Sequence, residues 1–347
     1  MSMVLNAKPR VDNPVLEILH LKKYYPITAG LLKRTVGYVK AVDDVSLTIP
    51  IGKTLGLVGE SGSGKTTLAH TVMRGLEPTG GMVIFHDQER GPLDVAHADP
   101  ETLRHVRRNM QMVFQDPYAS LNPRMTVLDI VGEPLEVNHI ARGKAVQDRV
   151  AELLELVGLR PEYMRRFPHA FSGGQRQRIG VARALALNPR LVLADEPTSA
   201  LDVSIQAQTL NLLKDLQARL NLSYLFISHD LGVVEHVSDI VAVMYVGRVV
   251  EIGSTRALYQ KPQHPYTEAL LSSIPRPDPT RKKRRIAIAG EIPDPANPPS
   301  GCYFHPRCPY AQPVCSRETP PLREIQPGQF AACHFSEALD LKGVNDI

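Results

Sequence analysis

Short apolar runs that end in glycine alternate along this chain with longer stretches whose apolar residues recur at helical spacing. Residues 15–21 (VLEILHL) and 41–50 (AVDDVSLTIP) have the β-branched content and partial alternation of strands. The stretch between them, with Pro26, Gly30 and Gly37, reads as a loop. Residues 54–59 (TLGLVG) form an apolar run that predicts a buried strand. A glycine-rich loop follows, then a helix from about Lys65 to Arg74. MVIF (82–85) and MQMVF (110–114) predict further strands, and residues from about 126 to 188 are mostly helical in pattern. Three apolar strands, LVLAD (191–195), YLFIS (224–228) and IVAVMYV (240–246), close this body. Strands alternating with helices imply an α/β fold, a mainly parallel sheet covered by helices. Prolines crowd in after about residue 262, which sets an expected boundary between a body (15–262) and an extension (263–347).

Composition narrows the class. The 347 residues are 43% hydrophobic, and 40 basic against 36 acidic residues leave a net charge of +4. That balance does not by itself argue for nucleic acid. No apolar run approaches the ~20 residues of a membrane span. The opening MSMVLNAKPR lacks the apolar core of a signal peptide. The expectation is a cytosolic α/β protein that other chains hold at a membrane if it works there.

The segment 59–66, GESGSGKT, fits G-x-x-x-x-G-K-S/T between a short apolar strand and a helix. Backbone N–H groups from Gly59, Ser61, Gly62, Ser63 and Gly64 can wrap phosphates there, and the following helix, with Thr67 in its first turn, points its positive end at the same anion. Lys65 reaches the β- and γ-phosphates, and the Thr66 hydroxyl is placed for Mg²⁺. The run LVLADEP (191–197) supplies two carboxylates at a strand end. Asp195 suits Mg²⁺, and Glu196 suits the polarisation of an attacking water. A solvated pair of strand-end acids is common. The phosphate loop, however, needs such a partner, and no other apolar strand ends in Asp-Glu.

The stretch FPHAFSGGQRQRIG (167–180) identifies the kind of nucleotide enzyme. Ser172 can cap a helix, and Gly173 and Gly174 leave its backbone N–H groups open to an anion. SGGQ (172–175) resembles the signature of ATP-binding cassette (ABC) proteins. The phosphate loop, LVLADE, Gln115 in VFQDP, SALD (199–202) and His229 in ISHD follow in that family's order. The resemblance covers about residues 15–260 and implies an ABC-type cassette. Its parts are a mainly parallel core sheet, an antiparallel β subdomain and a helical signature subdomain at about 118–178. It further implies that Ser172, Gly173, Gly174 and Gln175 act on an ATP held by the partner chain. By the same resemblance Gln115 senses Mg²⁺ and the attacking water, His229 contacts the γ-phosphate, and Asp202 shapes the dimer contact. Tyr25 stacks on adenine, with Tyr24 as the alternative. Phe171 stands where the family more often has leucine.

Residues 264–271 (HPYTEALL) and GEIPDPANPPSGCYFHPRC resemble the C-terminal extension of dipeptide and oligopeptide importer ATPases. The phrases SLNPR, FSGGQRQRI and SALDVSIQAQ resemble the same group, most closely the second ATPase subunit of dipeptide importers. That likeness implies a paralogous ATPase as dimer partner, two membrane permease subunits and an extracytoplasmic peptide-binding protein. It places the chain peripherally on the cytoplasmic face of the bacterial inner membrane. Alternatives are another small solute, such as nickel or glutathione, or a soluble ABC ATPase acting on nucleic acid through the basic run 281–285 (RKKRR). The single cassette and the lack of a long coiled-coil insertion speak against nucleic acid. All four cysteines, Cys302, Cys308, Cys315 and Cys333, lie in the extension, with five, six and seventeen residues between neighbours. In a reducing compartment metal ligation is the better reading of such a group. Four thiolates suit zinc or a [4Fe–4S] cluster. The resemblance favours the cluster, with zinc as the alternative and His305 and His334 as possible substitute ligands. Because this tail reads as separate from the ATP motifs, the cluster's expected role is structural or redox-regulatory.

Overall fold

The computed structural model of the chain describes residues 13–30, 33–116, 120–199, 201–274 and 286–344. In chain order these form β1 (Pro14–Ala29), β2 (Arg34–Pro50), β3 (Thr54–Val58), α1 (Lys65–Val72), β4 (Gly80–Asp87), β5 (Gly91–Asp94), α2 (Pro100–Asn109) and β6 (Met110–Val113). The second half forms α3 (Val127–Val137), α4 (Lys144–Leu156), α5 (Gly173–Leu185), β7 (Leu191–Asp195), α6 (Val203–Leu220), β8 (Ser223–Ile227) and α7 (Leu231–Val237). Then come β9 (Ile240–Tyr245), β10 (Arg248–Ser254), α8 (Thr255–Gln260), α9 (Pro265–Leu271), β11 (Arg323–Gln326) and β12 (Gln329–Ala331). Two compact units result: Met1–Ala98 with Ser228–Ile347, and Asp99–Ile227.

The first unit holds an antiparallel sheet in the order β2-β1-β4-β5. Leu16, Ile18 and Leu21 of β1 are fully buried, as are Val45, Ile49, Val83 and Phe85 on its neighbours. The expected loop between the first two strands is instead paired backbone. Tyr25 faces Val39, Pro26 faces Tyr38 and Ile27 faces Gly37 in a long hairpin. Pro26 is tolerated because β1 pairs with β4 only as far as Lys22, so beyond it no second neighbour needs the missing N–H. Five more strands follow the order β11-β12-β10-β9-β3, of which β3 and β9 are parallel and the rest antiparallel. All five positions of β3 are buried, which explains its unbroken apolar sequence. The hairpin β11–β12 comes from the extension and extends this sheet by pairing Ala331 with Glu251. No strand is expected there from the sequence. Helix α1 stops at Val72, short of the expected Arg74, because Arg74 turns left-handed and Gly75 N–H closes onto the His70 carbonyl at 2.9 Å.

The second unit is built on the parallel strands β6-β7-β8. Leu191, Leu193 and Ala194 of β7 and Leu225 and Ile227 of β8 are completely buried. Helix α3 opens on a capping box between Thr126 and Asp129. Helices α3, α4 and α5 bury Val127, Val131, Val150, Leu153 and Ile179. None of the described residues forms a helix long and apolar enough to cross a membrane. The basic run 281–285 lies outside the described residues.

Candidate functional site

In the first unit the segment 59–66 turns from β3 into α1. Gly64 caps α1 in the left-handed region (φ 102°), and a Cβ there would stand 2.1 Å from the Ala41 carbonyl oxygen. A Cβ on Gly59 would stand 2.2 Å from the Met244 carbonyl oxygen. Both positions therefore need glycine for space as well as for conformation. Lys65 is buried, and its Nζ donates to the Gly59 carbonyl (2.8 Å), the Glu60 carbonyl (2.9 Å) and Ser63 Oγ (3.3 Å). Thr66, Ser61 and Gly62 are exposed. An anion in this turn meets the first N–H groups of α1 and one ammonium held by the loop's own oxygens.

The two tyrosines proposed for adenine differ in freedom. The Tyr24 hydroxyl donates to Asp43 Oδ1, while Asp43 Oδ2 accepts from Arg248 Nε (2.8 Å) and the Tyr303 hydroxyl (3.0 Å). Burial pushes the Asp43 carboxyl up, but these donors outweigh it and hold the group below its ordinary value. Tyr24 is thus part of a partly buried polar knot, and burial, with Asp43, keeps its phenol protonated. Tyr25 is half-buried, with Lys23 Nζ 4.9 Å from its ring centre. His229 is exposed, directly after the buried Ser228.

In the second unit Gln115 and Glu196, 81 residues apart in sequence, come together: Gln115 Nε2 donates to Glu196 Oε2 at 2.9 Å. Asp195 is buried at the end of β7. Glu196 is left-handed (φ 44°), and its N–H donates to the Ile227 carbonyl at 3.0 Å. A glutamate in this region carries backbone strain of order 1–3 kcal/mol, which the fixed strand end holds in place. The carboxylate sits beside a neutral amide.

Ser172 Oγ accepts from Gln175 N–H (3.3 Å), and Gln175 Oε1 accepts from Ser172 N–H (3.1 Å), a full capping box at the start of α5. Gly174 also has a packing reason that the sequence did not reveal. It is buried, and a Cβ there would stand 2.4 Å from Ile205 Cγ2 on α6. Only Gly173, with 3.7 Å to Leu201 Cδ2, has ordinary room. Asp202 precedes α6, is exposed and makes no side-chain cap bond.

Sequence reasoning misses Glu60 and Arg307. Arg307 is buried and forks onto Glu60, with Nη1 to Oε2 at 2.8 Å and Nη2 to Oε1 at 3.2 Å. The 247 residues between the two leave no local signal of the pair. The expectation that the cysteine-bearing tail stands apart from the ATP motifs is therefore corrected, since Arg307 lies between Cys302 and Cys308 and grips the phosphate loop.

Cys302, Cys308, Cys315 and Cys333 line one pocket with His264, Phe304, His305 and His334. Burial pushes the Cys302 thiol up to about 11 and the Cys308 thiol up to about 12, and raises Cys333 as well. Among the described residues no three or more His, Cys, Asp or Glu side chains gather closely enough to hold a metal ion. His305 Nδ1 pairs with the Cys302 carbonyl and His334 Nε2 with the Glu318 carbonyl, at 2.9 and 3.0 Å.

Known proteins place this geometry in a family. An oligopeptide transport ATP-binding protein, AppF of Bacillus subtilis (strain 168), is 53% identical over 324 residues, 92% of this chain and 97% of that protein. The chain belongs to the ATP-binding proteins of ABC transporters. The family described as ABC transporter matches residues 42–199 of this ABC ATPase, and "Oligopeptide/dipeptide transporter, C-terminal region" matches residues 250–315. A probable peptide ABC transporter ATP-binding protein, y4tS of Sinorhizobium fredii, is 51% identical over 324 residues, 93% of this chain and 90% of that protein. Among solved structures, the dimeric bacterial ABC transporter cassette MJ0796 is similar at 29% identity and a TM-score of 0.59. That similarity covers 70% of this chain and 99% of the other. The cbiO1 protein of Clostridium perfringens, part of the transporter complex cbiONQ, is similar at 25% identity and a TM-score of 0.60, over 72% and 91% of the two chains. The ABC ATPase therefore has the expected cassette fold and is an ATP-binding enzyme.

Proposed function

We propose that this ABC ATPase hydrolyses ATP to drive peptide import through a membrane complex, lying peripherally on the cytoplasmic face of the inner membrane. One observation carries the reading: peptide transport ATP-binding proteins share 51–53% identity with it over more than nine-tenths of its length. The match of residues 250–315 to the oligopeptide/dipeptide transporter C-terminal region supports the same solute class. Two membrane permeases and an external peptide-binding protein complete the machine, with a paralogous ATPase as the dimer partner. Deleting the chromosomal copy should abolish uptake of a labelled peptide. Wild-type protein should restore it and Lys65→Ala should not. Normal peptide uptake in the deletion strain, with loss of uptake of another solute, would redirect the reading.

We propose the following roles, carried over from the family's motif pattern. Gly59–Thr66 binds the phosphates, with Lys65 neutralising charge on the β- and γ-phosphates, Thr67 adding to the first turn of α1 and Tyr25 stacking on adenine. Glu196 is the general base, with its carboxylate positioned by Gln115; His229 holds the γ-phosphate side. Thr66, Asp195 and Gln115 supply the oxygen donors that suit Mg²⁺, which when bound neutralises phosphate charge. Ser172, Gly173, Gly174 and Gln175 offer helix N–H groups to the partner's ATP, and Asp202 meets the partner. ATP binding closes the dimer and drives the permeases; hydrolysis reopens it. Residues 15–262 act as the cassette, with the signature subdomain at about 118–178, and 263–347 as the importer-type extension.

By the family resemblance we assign the four cysteines to a [4Fe–4S] cluster, for which they would have to draw together from their present positions. They are soft ligands that line one pocket, and binding a metal as thiolates would release protons. Such a cluster would be held by Cys302, Cys308, Cys315 and Cys333 and would tie the first three to the fourth. Anaerobic purification should yield about four irons and four sulfides per chain. One zinc per chain would replace the cluster by a structural metal, and neither metal would leave the pocket a thiol core.

A further inference from the structure

We propose that Arg307 is a positioning residue for ATP binding: through Glu60 it straps the cysteine-bearing loop of the extension to the phosphate loop, so that the extension sets nucleotide affinity. The proposal rests on the assignment of Gly59–Thr66 as the phosphate loop. Glu60 occupies a position of that loop for which the phosphate-binding chemistry specifies no side chain. Its carboxylate nevertheless receives a two-pronged guanidinium, at 2.8 and 3.2 Å, the strongest geometry for such a pair. Its N–H donates to the Tyr266 hydroxyl (2.9 Å) and its carbonyl accepts from Lys65 Nζ (2.9 Å), so every polar group of Glu60 is committed. The residue that follows Gly59 is thereby fixed from outside the loop, and it fixes Lys65 in turn.

The outside support is itself rigid. Arg307 Nη1 also reaches the Tyr245 hydroxyl at 3.3 Å. Phe304 stands edge-on to Tyr245 with ring centres 5.3 Å apart and meets Tyr266 at the same distance. The loop that presents Arg307 is closed by Cys302 N–H to the Cys315 carbonyl (2.8 Å) and His305 N–H to the Cys302 carbonyl (3.0 Å). Two consequences follow for ATP. The fork holds the loop in one shape before nucleotide arrives, which lowers the ordering cost of binding. It also neutralises a carboxylate that would otherwise face a triphosphate of the same sign.

The test uses the purified full-length chain and a fluorescent ATP analogue. Arg307→Gln should weaken binding by about tenfold, because the carboxylate is left unpaired beside the phosphates. Glu60→Gln should cost about threefold, since the fork loosens but no bare charge remains. The double variant should return to the affinity of Glu60→Gln alone. Arg307→Lys, which keeps the charge but loses the fork, should fall between wild type and Arg307→Gln. Backbone amides of 59–66 should exchange hydrogen faster in Arg307→Gln. Independent losses that multiply to about thirtyfold in the double variant would overturn the strap, as would Arg307→Gln binding like wild type. A wild-type chain that binds no ATP analogue would overturn the phosphate-loop assignment together with this proposal.

Discussion

Glu196 and Gln115 show how the proposed catalytic arrangement depends on a few atoms. A carboxylate on a strained, left-handed residue holds its aim only while the strand end and the Gln115 amide keep it there. Glu196→Gln keeps the shape and the loop but removes the base. ATP binding should stay within about twofold of wild type while steady-state hydrolysis at this site falls by about 10²- to 10⁴-fold. Turnover of the assembled complex, measured beside nucleotide binding, checks this, and an unchanged rate would remove Glu196 from the base role. The residues of the proposed phosphate loop stand out in the sequence because their chemistry is local: six adjacent positions carry glycine, lysine and hydroxyl together. Glu196 and Gln115 were legible only through the family's motif order, since nothing local shows that residues 81 apart will meet.

Elements carry constraints that single motifs hide. Gly174 was readable as part of an anion cradle, yet its nearest demand is the approach of α5 to α6 at Ile205. Gly174→Ala gains up to ~1 kcal/mol of helix propensity and meets overpacking of typically 1–3 kcal/mol. Net destabilisation in thermal unfolding is expected, with recovery in Gly174→Ala/Ile205→Ala. Equal losses with and without the second change would place the conflict elsewhere. Glu251 on β10 ties the start of α9 to β12, accepting from Gln263 N–H (2.8 Å), His264 N–H (3.0 Å) and Gln329 Nε2 (3.0 Å). Burial pushes its carboxyl up to about 7, against those donors. A folded-state value above the unfolded one means that its stabilisation is full below about 4.5 and is lost as pH rises through about 7. Glu251→Gln does not titrate, so its melting temperature relative to wild type should climb between pH 5 and pH 8; parallel curves in calorimetry would contradict this. The stretch between residues 21 and 41 reads as a loop in the sequence, although most of it is the far end of the β1–β2 hairpin, for a related reason. Pro26, Gly30 and Gly37 resemble turn punctuation; Gly30 does stand in the turn after β1, whereas Pro26 and Gly37 lie in strands that pair there with a single neighbour.

At the scale of the molecule, the chain was read as a body followed by a tail, and proline density made that division look clean. The tail instead completes the sheet of the first unit through β12 and reaches the phosphate loop through Arg307. Such contacts join residues 78 to 247 positions apart, and no pattern of period 2 or 3.6 encodes them. The family resemblance, by contrast, was fully legible, because the motifs and the C-terminal phrases are contiguous in sequence. ATP turnover by this chain is proposed to drive peptide across a membrane. Its most direct test is the complete importer in proteoliposomes, with ATP inside the vesicle compartment that holds this subunit and peptide-loaded binding protein on the other side. Loaded binding protein should raise ATP hydrolysis, labelled peptide should accumulate with it, and Glu196→Gln in this chain should remove the peptide-stimulated hydrolysis and the accumulation. Hydrolysis indifferent to loaded binding protein, or peptide accumulation that survives Glu196→Gln at the wild-type rate, would contradict it.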